Sequence, residues 1–214
     1  MINMQMYLML VLGICFKSED MFKLILTACL VLSWLDSFSQ ENIDYHPKSL
    51  FKELGKYNLS KNYNLDEIKI PDSIVNENHV KGKIFFMSES NNEDGIKYIY
   101  IGRVNSCRAG GCAIPGGLSA DLDQEYFDYY ILYDCDIIIK LVKVFNYQAT
   151  HGQEVTVRGW LKQFIGYDGR DNLQIGKDID TISGATISVY AITSDIQIKT
   201  KMLKDMCGRS LTLN

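Results

Sequence analysis

The chain has 214 residues, of which 47% are hydrophobic, and this is enough to bury the core of one domain. Its formal net charge is -4 at pH 7. Proteins that bind nucleic acids usually carry a basic surface, so this charge argues against a nucleic-acid partner. The sequence shows neither an internal repeat nor a low-complexity tract.

The N-terminal 39 residues are predicted to be a leader or a membrane anchor, and residues 40–214 to form one domain. Two apolar runs occur in the leader, at 6–16 and 22–35. Each run is short for a membrane span, which needs about 20 apolar residues.

The second run is typical of a signal peptide that starts at Met21. Lys23 supplies the charged region, an apolar stretch follows, and Ser37-Phe38-Ser39 forms a small-x-small cleavage site. Residues 1–20 are then an upstream extension of the true start, and the mature chain begins near Gln40.

Two other interpretations of the leader stay open. The string Leu26-Thr27-Ala28-Cys29 resembles a lipoprotein signal, although a further apolar run follows it. A leader that is not cleaved would act as a membrane anchor. All three interpretations place the domain outside the cytoplasm, in the periplasm or cell envelope.

Strand-like runs in the domain predict two hairpins. They are Val80–Met87 with Ile96–Val104, and Phe127–Tyr133 with Ile137–Phe145. A turn-rich segment separates the first pair, and Asp134-Cys135-Asp136 separates the second. Strands joined by short turns pair antiparallel, so with helices at both ends of the order the class is α+β.

A short amphipathic helix is predicted over residues 45–57, with Gly55 near its end. Residues 58–78 are polar and interrupted by Pro71, and we interpret them mainly as a connection, with a short strand at Glu67–Ile70 as an option.

A long helix is predicted after Thr186. Apolar residues recur there at the spacing of one buried helix face, namely at Val189, Ile192, Ile196 and Leu203. Polar and charged residues fill the other positions: Ser194, Asp195, Gln197, Lys199 and Lys201.

The start of this helix is a candidate phosphate site. Ser183 is expected to supply the N-cap hydroxyl, and Gly184 lets the backbone approach another group closely. A helix N-terminus has unpaired N–H groups and a partial positive charge, so it readily receives a phosphate. The hydroxyl of Thr186, in that first turn, could also be esterified by the phosphate.

The string from Asp180 to Ser188 resembles the flavin attachment motif of the FMN-binding domain family. That family includes the C subunit of the sodium-pumping NADH:quinone oxidoreductase and the G subunit of Rnf-type complexes. The residues that match the motif are Asp180, Ser183, Gly184, Ala185, Thr186 and Ser188. The resemblance implies that Thr186 carries FMN through a phosphoester bond made by a flavin transferase, which recognises a motif that includes Asp180.

A second resemblance lies upstream, where the family has a Glu-Thr-Pro-Gly-Leu-Gly loop and then a helix with a Gln-Phe-x-Gly string. Thr150-His151-Gly152 and Gln163-Phe164-Ile165-Gly166 match in order and at similar spacing. In this chain Ala149 replaces the family's glutamate, and His151 replaces its proline. The resemblance implies that Thr150, His151 and Gly152 contact the flavin ring. An imidazole beside a flavin can exchange protons near neutral pH.

Together the two motifs predict an exported protein with covalent FMN that transfers electrons. No residue is typical of a catalyst with its own substrate, so an electron carrier is favoured over an enzyme. The resemblance also implies redox partner proteins, with a membrane electron-transfer complex as one option.

The exported part keeps Cys107, Cys112, Cys135 and Cys207, in a compartment where disulfides form. Cys107 and Cys112 enclose four residues, two of them glycine, and such a loop can close as a disulfide. A redox-active pair is an alternative, because the adjacent Arg108 could lower a thiol pKa. Metal binding is a third option, but a cysteine pair without a nearby histidine is a weak zinc signal.

Two other functions stay open at this point. One is a thiol–disulfide oxidoreductase that uses Cys107 and Cys112. The other is a structural or binding protein of the envelope that keeps the fold without flavin, which the altered Thr150–Gly152 loop favours.

Overall fold

The computed structural model describes residues 42–57, 64–88, 95–106 and 125–211, with side chains up to Gly208. The chain divides into two units, residues 1–42 and Ile43–Asn214. The predicted leader and its cleavage site, and the Cys107–Cys112 pair, lie outside the described residues.

Five strands form one antiparallel sheet in which each strand pairs with its neighbour in sequence. The strands are β1 (Asn64–Ile68), β2 (Gly82–Ser88), β3 (Tyr98–Asn105), β4 (Tyr126–Tyr133) and β5 (Ile139–Tyr147). Both predicted hairpins are confirmed, as β2–β3 and β4–β5. The optional strand also forms, but it begins three residues earlier than predicted.

In the described ranges four α-helices accompany the sheet: α1 (Lys48–Leu54), α2 (Asp72–Glu77), α3 (Arg158–Leu161) and α4 (Thr186–Leu211). Short 3-10 turns lie at Gly55–Tyr57, Gln153–Thr156 and Lys162–Phe164. The α+β class is therefore confirmed. None of the helices in the described ranges combines the length and the apolar character that a membrane crossing needs.

Helix α2 lies in the segment that is predicted mainly to be a connection. Pro71, predicted to interrupt that segment, directly precedes the first residue of the helix. Proline has a fixed φ and lacks an N–H group that the start of a helix does not need, so it can introduce a helix as well as end one.

The sheet is covered on both faces. Tyr129 and Ile131 pack in the core on the side of α4, whereas Tyr130 and Leu132 pack in the core on the side of α1. Every residue from Phe127 to Tyr133 is buried. A strand buried on both faces reads as a nearly continuous apolar run, which here is interrupted only by Asp128, paired with Arg103.

One end of the sheet brings together the end of β3, the start of β4 and the end of β5. Asn105 at the end of β3 pairs with Tyr126 at the start of β4, and Phe127 pairs with Tyr147 at the end of β5. The residues that follow or precede these positions are therefore close in space although they are far apart in sequence. The candidate site lies at this end of the sheet, against the first turn of α4.

Candidate functional site

Helix α4 begins at Thr186, which is exposed. A turn precedes it, in which the N–H of Ala185 donates to the carbonyl of Ile182 at 3.1 Å and Gly184 has a φ of 83°. The N–H of Val189 then donates to the carbonyl of Ala185 at 2.9 Å. Ala185 is therefore the cap position, and the prediction that Ser183 caps the helix is wrong.

The reason for this difference is the left-handed conformation of Gly184. It turns the chain after Ser183, so that the helix begins two residues later than a serine cap would imply. Ser183 and Gly184 lie exposed in the turn that leads into Thr186.

The predicted buried face of α4 is confirmed and fixes where Thr186 lies. Val189, Ile192, Ile196 and Leu203 are at most 1% exposed, and all four belong to the core between α4 and the sheet. Their burial anchors the helix along its length. It therefore fixes where the first turn lies relative to the end of the sheet at which the site is found. Burial of such side chains contributes about 1.5–3 kcal/mol each.

The Thr150–Gly152 loop packs directly against that first turn. Gly152 has a φ of 91°, and a Cβ atom at this position would overlap the hydroxyl of Ser188. The same Cβ would lie 3.0 Å from the Cβ of Ser188 and 3.1 Å from the hydroxyl of Tyr147. Only glycine combines this conformation with this close approach, so the structure brings the two predicted motifs together.

A cluster of hydroxyl groups lies at the contact. Ser188 is buried, and its Oγ lies 3.0 Å from Ser106 Oγ and 3.4 Å from the Tyr147 hydroxyl. Tyr147 donates its own hydrogen bond to the carbonyl of His151 at 2.6 Å. Burial raises the pKa of Tyr147, and this outweighs the opposing effect of its hydrogen bond to Ser188. The phenol therefore stays protonated near neutral pH and remains a donor.

Thr150 and His151 are both exposed. The N–H of Thr150 donates to the carboxylate of Glu125 at 3.0 Å, and its hydroxyl donates to the other oxygen of the same carboxylate. The loop is thus held at both ends, by Glu125 at Thr150 and by Ser188 at Gly152.

The Gln163-Phe164 segment holds the start of the attachment motif. The amide oxygen of Gln163 accepts from the N–H of Asp180 at 2.8 Å, and the indole N–H of Trp160 donates to the carbonyl of Asp180 at 2.9 Å. Phe164 is fully buried and packs edge-on against Trp160, with ring centroids 5.5 Å apart. The side chain of Asp180 stays exposed, because both contacts involve its backbone.

Sequence reasoning missed Ser106, Glu125, Tyr147 and Trp160. The first three lie at strand ends, and the sequence gives no sign of which strand end meets which until the register of the sheet is known. Trp160 had a detectable signal, since it lies three residues before Gln163 on the predicted helix.

Among the described residues Cys135 and Cys207 are free, exposed and half-buried respectively.

Chemically, the site offers one exposed hydroxyl at the first position of a long helix. The first N–H groups of any helix lack partners within it, so they can neutralise a phosphate ester formed at Thr186. A loop without a side chain at Gly152 forms one wall of the site. No known family model and no curated protein matches this chain.

Proposed function

We propose that this protein is an exported electron-transfer flavoprotein that carries FMN on Thr186 through a phosphoester bond. The flavin supplies reversible electron transfer when it is bound. The chain holds the phosphate, orients the ring and limits its movement.

One observation carries the proposal: the two stretches that resemble the FMN-binding domain family meet in space. Gly152 lies against Ser188, two residues after Thr186, and Gln163 binds the backbone of Asp180. These contacts join segments that are separated by 17 residues or more in sequence. A chance match of two short motifs gives no reason for such contacts.

The residues fit the group that the motif implies. Thr186 is exposed, so a transferase can reach its hydroxyl. Ser183, Gly184 and Ala185 precede it in a tight turn and lie where they can surround the phosphate. Thr150, His151 and Gly152 lie on the side of Ser188, where they can contact the ring.

Attachment requires a flavin transferase and an activated flavin nucleotide as the co-reactant. The oxygen of Thr186 forms a bond to the phosphorus of the flavin phosphate, and the phosphoanhydride bond to the leaving nucleotide breaks. The hydroxyl proton leaves with that nucleotide, so one phosphoester bond forms for each phosphoanhydride bond that breaks.

Export follows from the predicted leader and fits covalent attachment, since a cofactor lost outside the cytoplasm is not readily replaced. Redox partner proteins would supply and accept the electrons.

The test is expression with a flavin transferase in an exporting host, followed by a denaturing gel. The wild-type chain should keep yellow fluorescence on the gel, because only a covalent bond survives denaturation. Thr186→Ala should abolish the band and leave the fold nearly intact, since the exposed residue loses a hydroxyl and a methyl group but no core packing.

Thr181→Ala is the matched control, because Thr181 is an exposed threonine of the same string. It should stay labelled. A wild type that is never labelled by an active transferase, or a fluorescent Thr186→Ala band, would contradict the proposal.

A further inference from the structure

Glu125 lies one residue before β4 and makes two hydrogen bonds to one residue of the candidate loop. Its Oε2 accepts from the N–H of Thr150 at 3.0 Å, and its Oε1 accepts from the Thr150 hydroxyl. Hydrogen bonds to an ionised carboxylate are about twice as strong as neutral ones, so this contact restrains Thr150 more than a neutral hydrogen bond would.

The backbone of Glu125 reaches the other side of the site. Its carbonyl accepts from the N–H of Ser106 at 2.7 Å, and the hydroxyl of Ser106 lies 3.0 Å from that of Ser188. Glu125 therefore connects Thr150 with Ser106. Thr150 belongs to the loop whose Gly152 packs on Ser188, and Ser106 contacts Ser188 directly, so both sides meet at the first turn of α4.

The loop has no carboxylate of its own from Gln148 to Gly152. An exposed loop of this kind samples several conformations unless strong contacts restrict it. The carboxylate of Glu125 supplies such a contact from a neighbouring strand, and it brings one negative charge to the side of the loop.

We infer that Glu125 is a positioning residue for the flavin, an inference that rests on the proposed function. It holds Thr150, and with it the loop, against α4, and its carboxylate would bring a negative charge to the part of the loop that is proposed to contact the ring. Reduction adds electrons to the flavin, so a nearby negative charge disfavours it and lowers the reduction potential.

The experiment uses the labelled full-length chain with Glu125→Gln, Glu125→Asp and Thr150→Val. Glu125→Gln keeps the size of the side chain but removes its charge, so the reduction potential should rise and the visible circular dichroism of the flavin should change. Glu125→Asp should return both towards the wild-type values. Thr150→Val keeps the charge and should alter the circular dichroism more than the potential.

Glu77→Gln is the control for a loss of charge elsewhere, because Glu77 is an exposed residue of α2. The Glu125 variants and Glu77→Gln should show the wild-type level of label on a denaturing gel, because the hydrogen bonds described for Glu125 go to Thr150 and Ser106 and not to Thr186. A Glu125→Gln protein with the potential and circular dichroism of Glu77→Gln would overturn the inference.

An unlabelled wild-type chain on the gel would contradict the proposed function itself. In that case Glu125 could not position a flavin. Amide hydrogen exchange on the unlabelled chain still tests whether Glu125 holds the loop. Exchange at Thr150 should be about tenfold faster in Glu125→Ala, as expected for the loss of a hydrogen bond to a charged group. Unchanged exchange at Thr150 would show that Glu125 does not restrain the loop.

Discussion

At the scale of single residues, Gly152 is the position on which the candidate site depends most. It combines a φ of 91° with a backbone that touches the hydroxyl of Ser188. The two demands are separable, because Gly166 has nearly the same φ of 92° but open space where a Cβ would lie.

We predict that Gly152→Ala lowers the free energy of unfolding by more than Gly166→Ala does. An alanine in the left-handed region costs about 1–2 kcal/mol at either position. At Gly152 the new methyl group also displaces Ser188 or the loop, for a further cost of about 1–3 kcal/mol. Urea unfolding of both variants measures the difference.

The double variant Gly152→Ala with Ser188→Ala tests the cause, because it removes the oxygen that the new methyl group meets. It should recover part of the additional loss. Equal losses for Gly152→Ala and Gly166→Ala would mean that the loop does not pack on the first turn of α4.

At the scale of elements, α4 contains a buried charged pair. Lys199 Nζ lies 2.9 Å from Asp195 Oδ1, and the two side chains are 1% and 18% exposed. The same ammonium donates to the carbonyl of Asn78 at 2.9 Å, and the Tyr129 hydroxyl donates to Asp195 Oδ2 at 2.5 Å. Burial, followed by the nearby Asp195 carboxylate, raises the pKa of Tyr129 and keeps it a donor.

This pair widens the buried face of the helix beyond the predicted apolar positions. Lys199 is one of the polar residues between those positions, yet it is almost fully buried against the end of α2. Lys199 can be buried because the carbonyl of Asn78 and the carboxylate of Asp195 both accept from its ammonium group. Asn78 ends the segment that is predicted mainly to be a connection, so the sequence does not indicate that it contacts α4. Hydrophobic period alone therefore located the helix and its apolar stripe but not the width of the buried face.

We predict that Lys199→Met lowers the free energy of unfolding by about 3 kcal/mol, because it leaves the carboxylate of Asp195 with the Tyr129 hydroxyl but without a positive charge beside it. Lys199→Met with Asp195→Asn should be more stable than the single variant. Lys201→Met, an exposed position on the same helix, should change stability by about 0.5 kcal/mol or less. Similar losses for Lys199→Met and Lys201→Met would show that the pair contributes nothing specific.

Local sequence patterns also limit how much of the site can be predicted. The hairpins, the long helix and the motif residues follow from local patterns, so a single sequence was sufficient for them. Ser106 and Ser188 are 82 residues apart, and their contact depends on the sheet register and on how α4 crosses the sheet. No local pattern encodes either of these.

At the scale of the whole domain, the sheet lies between α4 on one face and α1 on the other. A buried glutamate helps to hold the smaller helix in place. Glu53 of α1 accepts from Lys56 at 2.6 Å and from Lys143 of β5 at 3.3 Å. Its side chain is 8% exposed, so this ion pair is less screened by solvent than a surface one.

The pH dependence of stability should report this contact. Burial alone would raise the pKa of Glu53, but the hydrogen bonds and charges of Lys56 and Lys143 outweigh it and hold the pKa below its ordinary value of 4.5. A carboxyl whose pKa is lower in the folded than in the unfolded chain stabilises the fold above the unfolded value. That contribution is lost as the pH falls through the folded value.

We therefore predict that Glu53→Gln costs about 1–2 kcal/mol in free energy of unfolding at pH 7, towards the low end for hydrogen bonds to a charged group because both lysines are partly exposed and screened by solvent. The cost should shrink below about pH 4.5 as the wild-type carboxylate is protonated, which urea unfolding at pH 7, 5, 4 and 3 can follow. In a Lys143→Met background the same substitution should cost less and depend less on pH, because one of the two partners that lower the pKa is gone. A cost of Glu53→Gln that stays constant from pH 7 to pH 3 would show that α1 is held on the sheet by its apolar face alone.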